Sequence, residues 1–386
     1  MTTANKAAPW RRAKDILYLV GVNLAVFVAL FVAFELAVHI LYPDQNPWLG
    51  PPFAKSKVRI ANPVYGHALA PNFDSEEVWG QGKSHITTNS LGFKDVRVRE
   101  VPLQSAKKRI LFLGDSFTEG IGLPYEQTFV GQFAAAFPQL DVLNAAASSY
   151  APTIYNAKAR YLIEAGLQVD EVIVYIDISD IQDEAITYRT DKDGKVEEGD
   201  FDDKCPTAPQ IIRIQSPWWA HFSYTLDFLH KRHILMQYRQ VLPDASLALL
   251  MQPGQVYAKD FHRPAWTYES NLQCYSTLGV EGAIAKAINQ MDQLYAFLSE
   301  RRIPLSVGVY PWPQQLLYDK EESRQVTIWR EWCKNKCRRF FNHFPAFFAY
   351  KRQHPDFMHE IFIWGDSHYN ALGNELLAHD LIAQYP

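Results

Sequence analysis

The chain has 386 residues, room for two or three average domains or for one large α/β domain with additions. Hydrophobic residues at 48% and charged residues at 21% are the balance of a globular protein with a sizeable core. A formal net charge of −4 with no basic stripe argues against nucleic acid as a partner, because neutralising phosphates takes clustered Lys and Arg.

The first element is an apolar run over residues 16–34, interrupted only by Asn23. As a helix at about 1.5 Å per residue it reaches roughly 28 Å, close to the thickness of a bilayer core. Lys6, Arg11, Arg12 and Lys14 precede it, and Asp15 is the first acidic residue. The positive-inside rule therefore keeps residues 1–15 in the cytoplasm, makes 16–42 a transmembrane anchor and exports the remainder. Glu35 and His39, four apart, mark the outer interface beside Tyr42 and Trp48. A cleaved signal peptide is the competing reading. The run is longer than the usual apolar region of a signal, and no small-x-small site follows His39, which favours an uncleaved anchor in the cytoplasmic (inner) membrane with the main domain facing the periplasm or cell exterior.

Residues 43–108 are rich in Pro, Asn and Gly and read as an extended, partly stranded preamble, with alternations at 58–60 and 64–69 and a turn-like TTNSLGFKD at 87–95. From Arg109 a β/α alternation begins. A strand over 109–113 runs straight into Gly114-Asp115-Ser116, so a buried strand ends at a small-residue turn that presents a serine. A helix over 126–137 follows, then a strand at 140–143 that ends in Asn144 and a run of Ala and Ser. Pro152 opens a helix to about residue 165, and a strand at 171–176 ends in Asp177-Ile178-Ser179-Asp180. Three strands that end in polar, small-residue turns define one active edge of a parallel sheet.

Between about 186 and 278 the regularity breaks into an insertion: a hairpin around Asp191-Lys192-Asp193-Gly194, an acidic loop and an amphipathic helix over 224–242. Its aromatics Trp218, Trp219, Phe222, Tyr224 and Trp266 suit either a sugar or acyl cleft or plain core packing. The pattern returns with a helix over 280–301, a strand at 304–310, a helix over 321–341 and a C-terminal helix ending near 385. Cys205 and Cys274, both in the insertion, suit a disulfide in an oxidising compartment. Cys333 and Cys337, four apart on the expected helix, are awkwardly placed for one, and no second ligand pair suggests zinc.

A serine hydroxyl needs a neighbouring base, and the base an orienting group, to act as a nucleophile. Asp366 and His368 supply both from one short loop: with one residue between them, the carboxylate reaches the imidazole Nδ1–H while Nε2 faces a serine across the sheet edge. Ser116, His368 and Asp366 are the candidate catalytic residues, with no metal and no cofactor expected.

These residues resemble the SGNH (GDSL-type) hydrolases. Gly114-Asp115-Ser116-Phe117 matches that family's first block, with Phe117 in place of leucine. Residues 144–150, NAAASSY, are similar to the second block, where a glycine N–H contributes to the oxyanion hole; Ser149 stands at that position. In the third block, Gly-x-Asn-Asp, aligning Asp180 puts Ser179 where the Asn should be, a shorter reach and a hydroxyl in place of an amide. Gln182 is a nearby amide that could substitute. The last block, commonly Asp-x-x-His, is shortened here to Asp366-Ser367-His368, which resembles the subgroup around the alginate O-acetyltransferase proteins. The preamble TTNSLGFKD is similar to that of membrane-anchored bacterial members. The resemblance covers residues 87–385 apart from the insertion.

What the resemblance implies is an SGNH-type three-layer αβα sandwich over 109–386 behind one N-terminal transmembrane helix. The implied activity is a serine esterase acting on ester, O-acetyl, groups of an envelope glycan, with Ser149 and Ser179 in the oxyanion hole. Its partners would be an ester-bearing carbohydrate or small acyl ester, and the membrane through residues 16–42. The alternatives are an O-acyltransferase on cell-surface polysaccharide and a non-catalytic glycan-binding or assembly protein; a membrane acyl-donor partner is a further candidate partner. One oxyanion donor is worth about 2.7–4 kcal/mol of transition-state stabilisation, so the replaced third-block Asn bears directly on activity.

Overall fold

The computed structural model describes residues 9–41, 58–79, 82–199, 223, 225–226, 259, 261–270, 272, 274–363 and 366–385. The chain divides into two compact units, one of residues 1–55 with 213–244, the other of residues 56–212 with 245–386.

In the first unit the helix Pro9–Leu41 contains a stretch, Ala13–Ala37, long and apolar enough to cross a membrane. Its one amide, on Asn23, donates to the Leu19 carbonyl at 2.7 Å, so the polar group is satisfied along its own helix. Glu35 is buried and accepts from the Ser223 hydroxyl at 2.8 Å and the Thr225 N–H at 3.1 Å. Tyr42, Trp48, Trp218, Trp219, Phe222, Tyr224 and most of the helix expected over 224–242 lie outside the described residues.

The second unit opens with two antiparallel hairpins, β1 (Arg59–Asn62) with β2 (Gly66–Leu69), and β3 (Asp74–Trp79) with β4 (Gly82–Thr87). The alternating preamble is thus stranded. It also joins the body, since Lys94 makes a bridge to Asn144 at the sheet margin. The strands β5 (Arg109–Leu113), β6 (Asp141–Asn144), β7 (Glu171–Tyr175), β10 (Leu305–Val309) and β11 (Phe340–Asn342) form one parallel sheet in the order β11-β10-β7-β5-β6. Between β7 and β10 the hairpin β8 (Tyr188–Thr190) with β9 (Val196–Glu198) stands where the sequence places it.

All five residues of β5 and of β7 are buried; each strand opens on one charged residue, Arg109 or Glu171, and continues as four apolar ones. Right-handed crossovers then fix the layers. The step from β5 to β6 runs one way along the sheet, and every later step runs the other. Helix Phe129–Ala136 therefore lies on one face, joined by the C-terminal helix Ala371–Gln384, while Pro152–Glu164, Gly279–Glu300 and Arg324–Cys333 cover the opposite face. The result is an α/β three-layer sandwich whose strand order reverses between β5 and β7, where open α/β sheets bind their ligands.

One stretch differs from expectation. The helix expected over 321–341 stops at Cys333, and the chain turns through Lys334 to enter the edge strand β11. That turn brings the Cys333 and Cys337 Cα atoms to 4.7 Å and the two residues form a disulfide, a geometry that a continuous helix would have opposed. Cys274 is also disulfide-bonded, and Cys205 lies outside the described residues.

Candidate active site

The strand β5 delivers Ser116. Gly114 leaves the sheet where a Cβ would collide with the Thr118 side chain, so the sharp turn requires glycine. Asp115 then caps the short helix Ser116–Glu119, its Oδ1 accepting the Phe117 N–H at 3.0 Å and the Tyr310 hydroxyl at 2.9 Å, with Oδ2 3.2 Å from Ser116 Oγ. Asp115 is fully buried; burial and the nearby Asp177 push its carboxyl up to about 8.

The loop before the C-terminal helix carries Asp366 and His368. Phe362 bridges Tyr369, and the Ile363 N–H donates to the His368 carbonyl at 2.8 Å, closing a small turn that holds Asp366 and His368. Asp366 Oδ1 accepts both the His368 backbone N–H at 3.1 Å and the imidazole Nδ1 at 2.5 Å. His368 Nε2 lies 2.7 Å from Ser116 Oγ. Burial works against the imidazolium, yet the adjacent Asp366 carboxylate outweighs it and His368 is raised above its ordinary value of 6.5. The ring of Phe117 lies 4.7 Å from that of His368, so the apolar side chain after Ser116 packs on the imidazole.

The third strand places its acids behind this line. Asp177 Oδ1 takes the Ser179 N–H at 2.7 Å and the Ser179 hydroxyl at 2.6 Å, and Oδ2 takes the Trp312 indole N–H at 2.6 Å. Both donors of Ser179 are thus engaged with Asp177. Gln182 likewise donates its amide to the Cys274 carbonyl at 3.1 Å. Trp266 is core, buried with its indole N–H on the Ile178 carbonyl at 2.9 Å. Asp180 accepts from the Tyr155 hydroxyl at 3.0 Å, and burial with repulsion from Asp177, Asp115 and Asp183 holds it well above the usual carboxylate range.

The loop after β6 carries Ser149. Asn144 donates to the Thr118 carbonyl at 2.8 Å, tying the loop to the Ser116–Glu119 helix, and the Lys158 amine holds the Ala145 carbonyl at 2.7 Å. Ser149 is exposed and left-handed at φ 64°, as the glycine of a tight turn would be. Glu119 Oε2 accepts the Ser148 N–H at 2.7 Å, His67 Nε2 lies 2.7 Å from the Ser148 carbonyl, and the Tyr188 hydroxyl donates to the Ser149 carbonyl. Among the described residues nothing accepts the N–H of Ser149 or that of Ser116.

Arg59 and Glu119 carry no signal in the motifs, whereas Lys94 stands in the TTNSLGFKD stretch. Arg59 clamps Glu119 with two bonds of 3.0 and 2.8 Å; burial opposes the Glu119 charge, but Arg59 and Lys94 outweigh it and its pKa is lowered. Lys94 donates to the carbonyls of Gly120 at 2.7 Å and Leu123 at 2.5 Å, so the preamble's FKD sequence fastens the end of the Ser116–Glu119 helix. Burial lowers Lys94 to about 8.

No family model and no curated protein matches the chain. Among solved structures, matches include a member of the lipolytic G-D-S-L family from Veillonella parvula, at 10% identity over 72% of this chain and 98% of that one with a TM-score of 0.35. Another is Axe2, an acetylxylan esterase from Geobacillus stearothermophilus, at 12% identity over 74% and 96% with a TM-score of 0.35. A third is AlinE4, an SGNH-hydrolase family esterase, at 12% identity over 72% and 94% with a TM-score of 0.33.

Proposed function

We propose that this chain is an SGNH-type serine esterase, anchored in the cytoplasmic membrane by its N-terminal helix and acting on O-acetyl groups of an envelope glycan. The observation that carries the reading is the unbroken line Ser116 Oγ, His368, Asp366, with contacts of 2.7 and 2.5 Å.

In this reading His368 takes the Ser116 proton as Oγ attacks the ester carbonyl, and Asp366 holds the resulting imidazolium. The oxyanion is met by the N–H groups of Ser116 and Ser149, both of which point to no other acceptor among the described residues. The alcohol leaves with the proton from His368, and water, deprotonated by the same imidazole, releases the acid. Because Ser179 gives both donors to Asp177, the third-block donor is not assigned to it. The basic residues before the apolar run set the orientation, and the three disulfide-bonded positions Cys274, Cys333 and Cys337 suit an oxidising compartment.

The shortened Asp366-Ser367-His368 block favours one further outcome, transfer of the acyl group to a sugar hydroxyl in place of water. A fluorophosphonate probe at neutral pH tests the nucleophile: the folded wild type takes label and Ser116→Ala does not. An unlabelled, folded wild type would leave the non-catalytic glycan-binding role instead. A periplasmic reporter fused after Pro386 should be active; an active cytoplasmic reporter overturns the orientation.

A further inference from the structure

The peptide unit between Ser148 and Ser149 is held on every side but one. Its carbonyl, on Ser148, faces His67 Nε2 at 2.7 Å; the preceding N–H goes to Glu119 at 2.7 Å; the following carbonyl takes the Tyr188 hydroxyl. What is left over is the Ser149 N–H. A peptide is planar, so fixing its carbonyl direction fixes its N–H direction on the opposite side.

His67 itself comes from β2 of the preamble, and its other ring nitrogen, Nδ1, contacts the Glu198 carboxylate of β9. Gly66, at φ 88°, has no Cβ to obstruct Glu198, which lets that carboxylate lie alongside. The Tyr150 hydroxyl donates to the His67 carbonyl at 2.7 Å, and the Tyr150 ring lies 4.8 Å from the imidazole. Beyond the Ser148 N–H stand Glu119 and its partner Arg59. Both ring nitrogens of His67 thus face oxygens, a backbone carbonyl and a carboxylate, so the ring is held from both sides.

We propose that His67, oriented by Glu198, is a positioning residue that aims the Ser149 N–H at the developing oxyanion. The inference rests on the esterase reading above. Donation to a peptide carbonyl also polarises its N–H, so the same bond strengthens the oxyanion donor.

The test uses the full chain in detergent with p-nitrophenyl acetate, alongside Ser116→Ala. His67→Ala should lower kcat by about 10- to 100-fold with KM changed less than about twofold, since a donor that acts in the transition state is weakened and ground-state binding is not. His67→Gln keeps a donor for the Ser148 carbonyl and should restore most of kcat. Glu198→Gln weakens the contact that orients the ring and should lower kcat less than His67→Ala does, with KM again little changed. A folded His67→Ala with wild-type kcat overturns the inference. So does a loss that Gln does not rescue. Should His67→Ala fail to fold, His67→Phe keeps the ring's bulk without a donor and takes its place, with the same loss of kcat expected and a wild-type kcat overturning the inference. A wild type with no Ser116-dependent hydrolysis overturns the esterase reading and this inference together, an outcome distinct from an active wild type indifferent to His67.

Discussion

Ser116 and His368 are separated by 252 positions in the chain and by 2.7 Å in space. The sheet closes that gap: β5 carries the serine to its carboxyl edge, and the C-terminal helix, packed beside Phe129–Ala136 through Asn374 on the Phe129 N–H at 3.0 Å, brings the histidine loop to the same edge. Removing either member should abolish turnover. Ser116→Ala and His368→Ala are each expected to reduce kcat for an acetyl ester by roughly 10⁴- to 10⁶-fold with the fold retained, measured by ester hydrolysis and circular dichroism. A variant within tenfold of wild type would remove that residue from the mechanism.

The acid limb of the pH profile belongs to His368. Only the neutral imidazole can accept the serine proton, and its pKa is raised, so activity should be lost as pH falls through a value above 6.5. Asp366→Asn removes the carboxylate that raises it, which should move the limb down while lowering kcat by roughly 10⁴-fold through the wrong tautomer. Stability runs the other way. Protonated His368 stabilises the fold fully below the ordinary imidazole value, and that contribution is lost as pH rises through the raised one. The difference in melting temperature between wild type and His368→Ala should therefore shrink with rising pH; a difference that grows contradicts the assignment.

Asp115 is expected to act as a carboxylic acid. With its pKa pushed up to about 8, it is largely protonated at neutral pH, and the 3.2 Å contact with Ser116 Oγ then leaves the serine proton free for His368. Asp115→Asn preserves a donor toward Oγ and an acceptor for Phe117 and Tyr310, so kcat should stay within about tenfold. Asp115→Ala loses a helix cap, about 0.5–2 kcal/mol, and strands the buried Tyr310 hydroxyl, about 1–3 kcal/mol, which thermal melts would resolve. If the amide proves as damaging as alanine, the residue works ionised.

The sequence carries the sheet far better than the scaffolding of the site. β5 and β7 are legible because, after one buried charged residue each, Arg109 and Glu171, they continue as four buried apolar residues. β11 is not, because it is a three-residue edge strand that follows a charged, aromatic run of helical period, and the turn at Lys334 contains neither Gly nor Pro. Ser116, Asp366 and His368 stand in short motifs. His67 does not: its partners lie 131 and 81 positions away, and only the folded hairpins bring them to it. Ser179 shows the reverse case, a residue placed by alignment whose hydroxyl and N–H are spent on a carboxylate two positions earlier.

Ser149 pairs a left-handed φ of 64° with a side chain that is exposed. A Cβ in that region costs about 1–2 kcal/mol, which glycine avoids. Against this, glycine raises the entropy of the unfolded chain, worth about 0.4–1 kcal/mol. The balance favours Ser149→Gly by a fraction of a kcal/mol up to about 1.5, so its melting temperature should equal or exceed that of wild type by a few degrees. Activity should hold within about twofold, because the backbone N–H that meets the oxyanion is unchanged and the lost hydroxyl faces solvent. Ser149→Pro, which deletes that N–H and forbids the left-handed φ, should abolish turnover. If Ser149→Gly instead loses more than tenfold in kcat with its melt intact, the serine hydroxyl itself takes part, and the oxyanion is met by the side chain rather than the peptide.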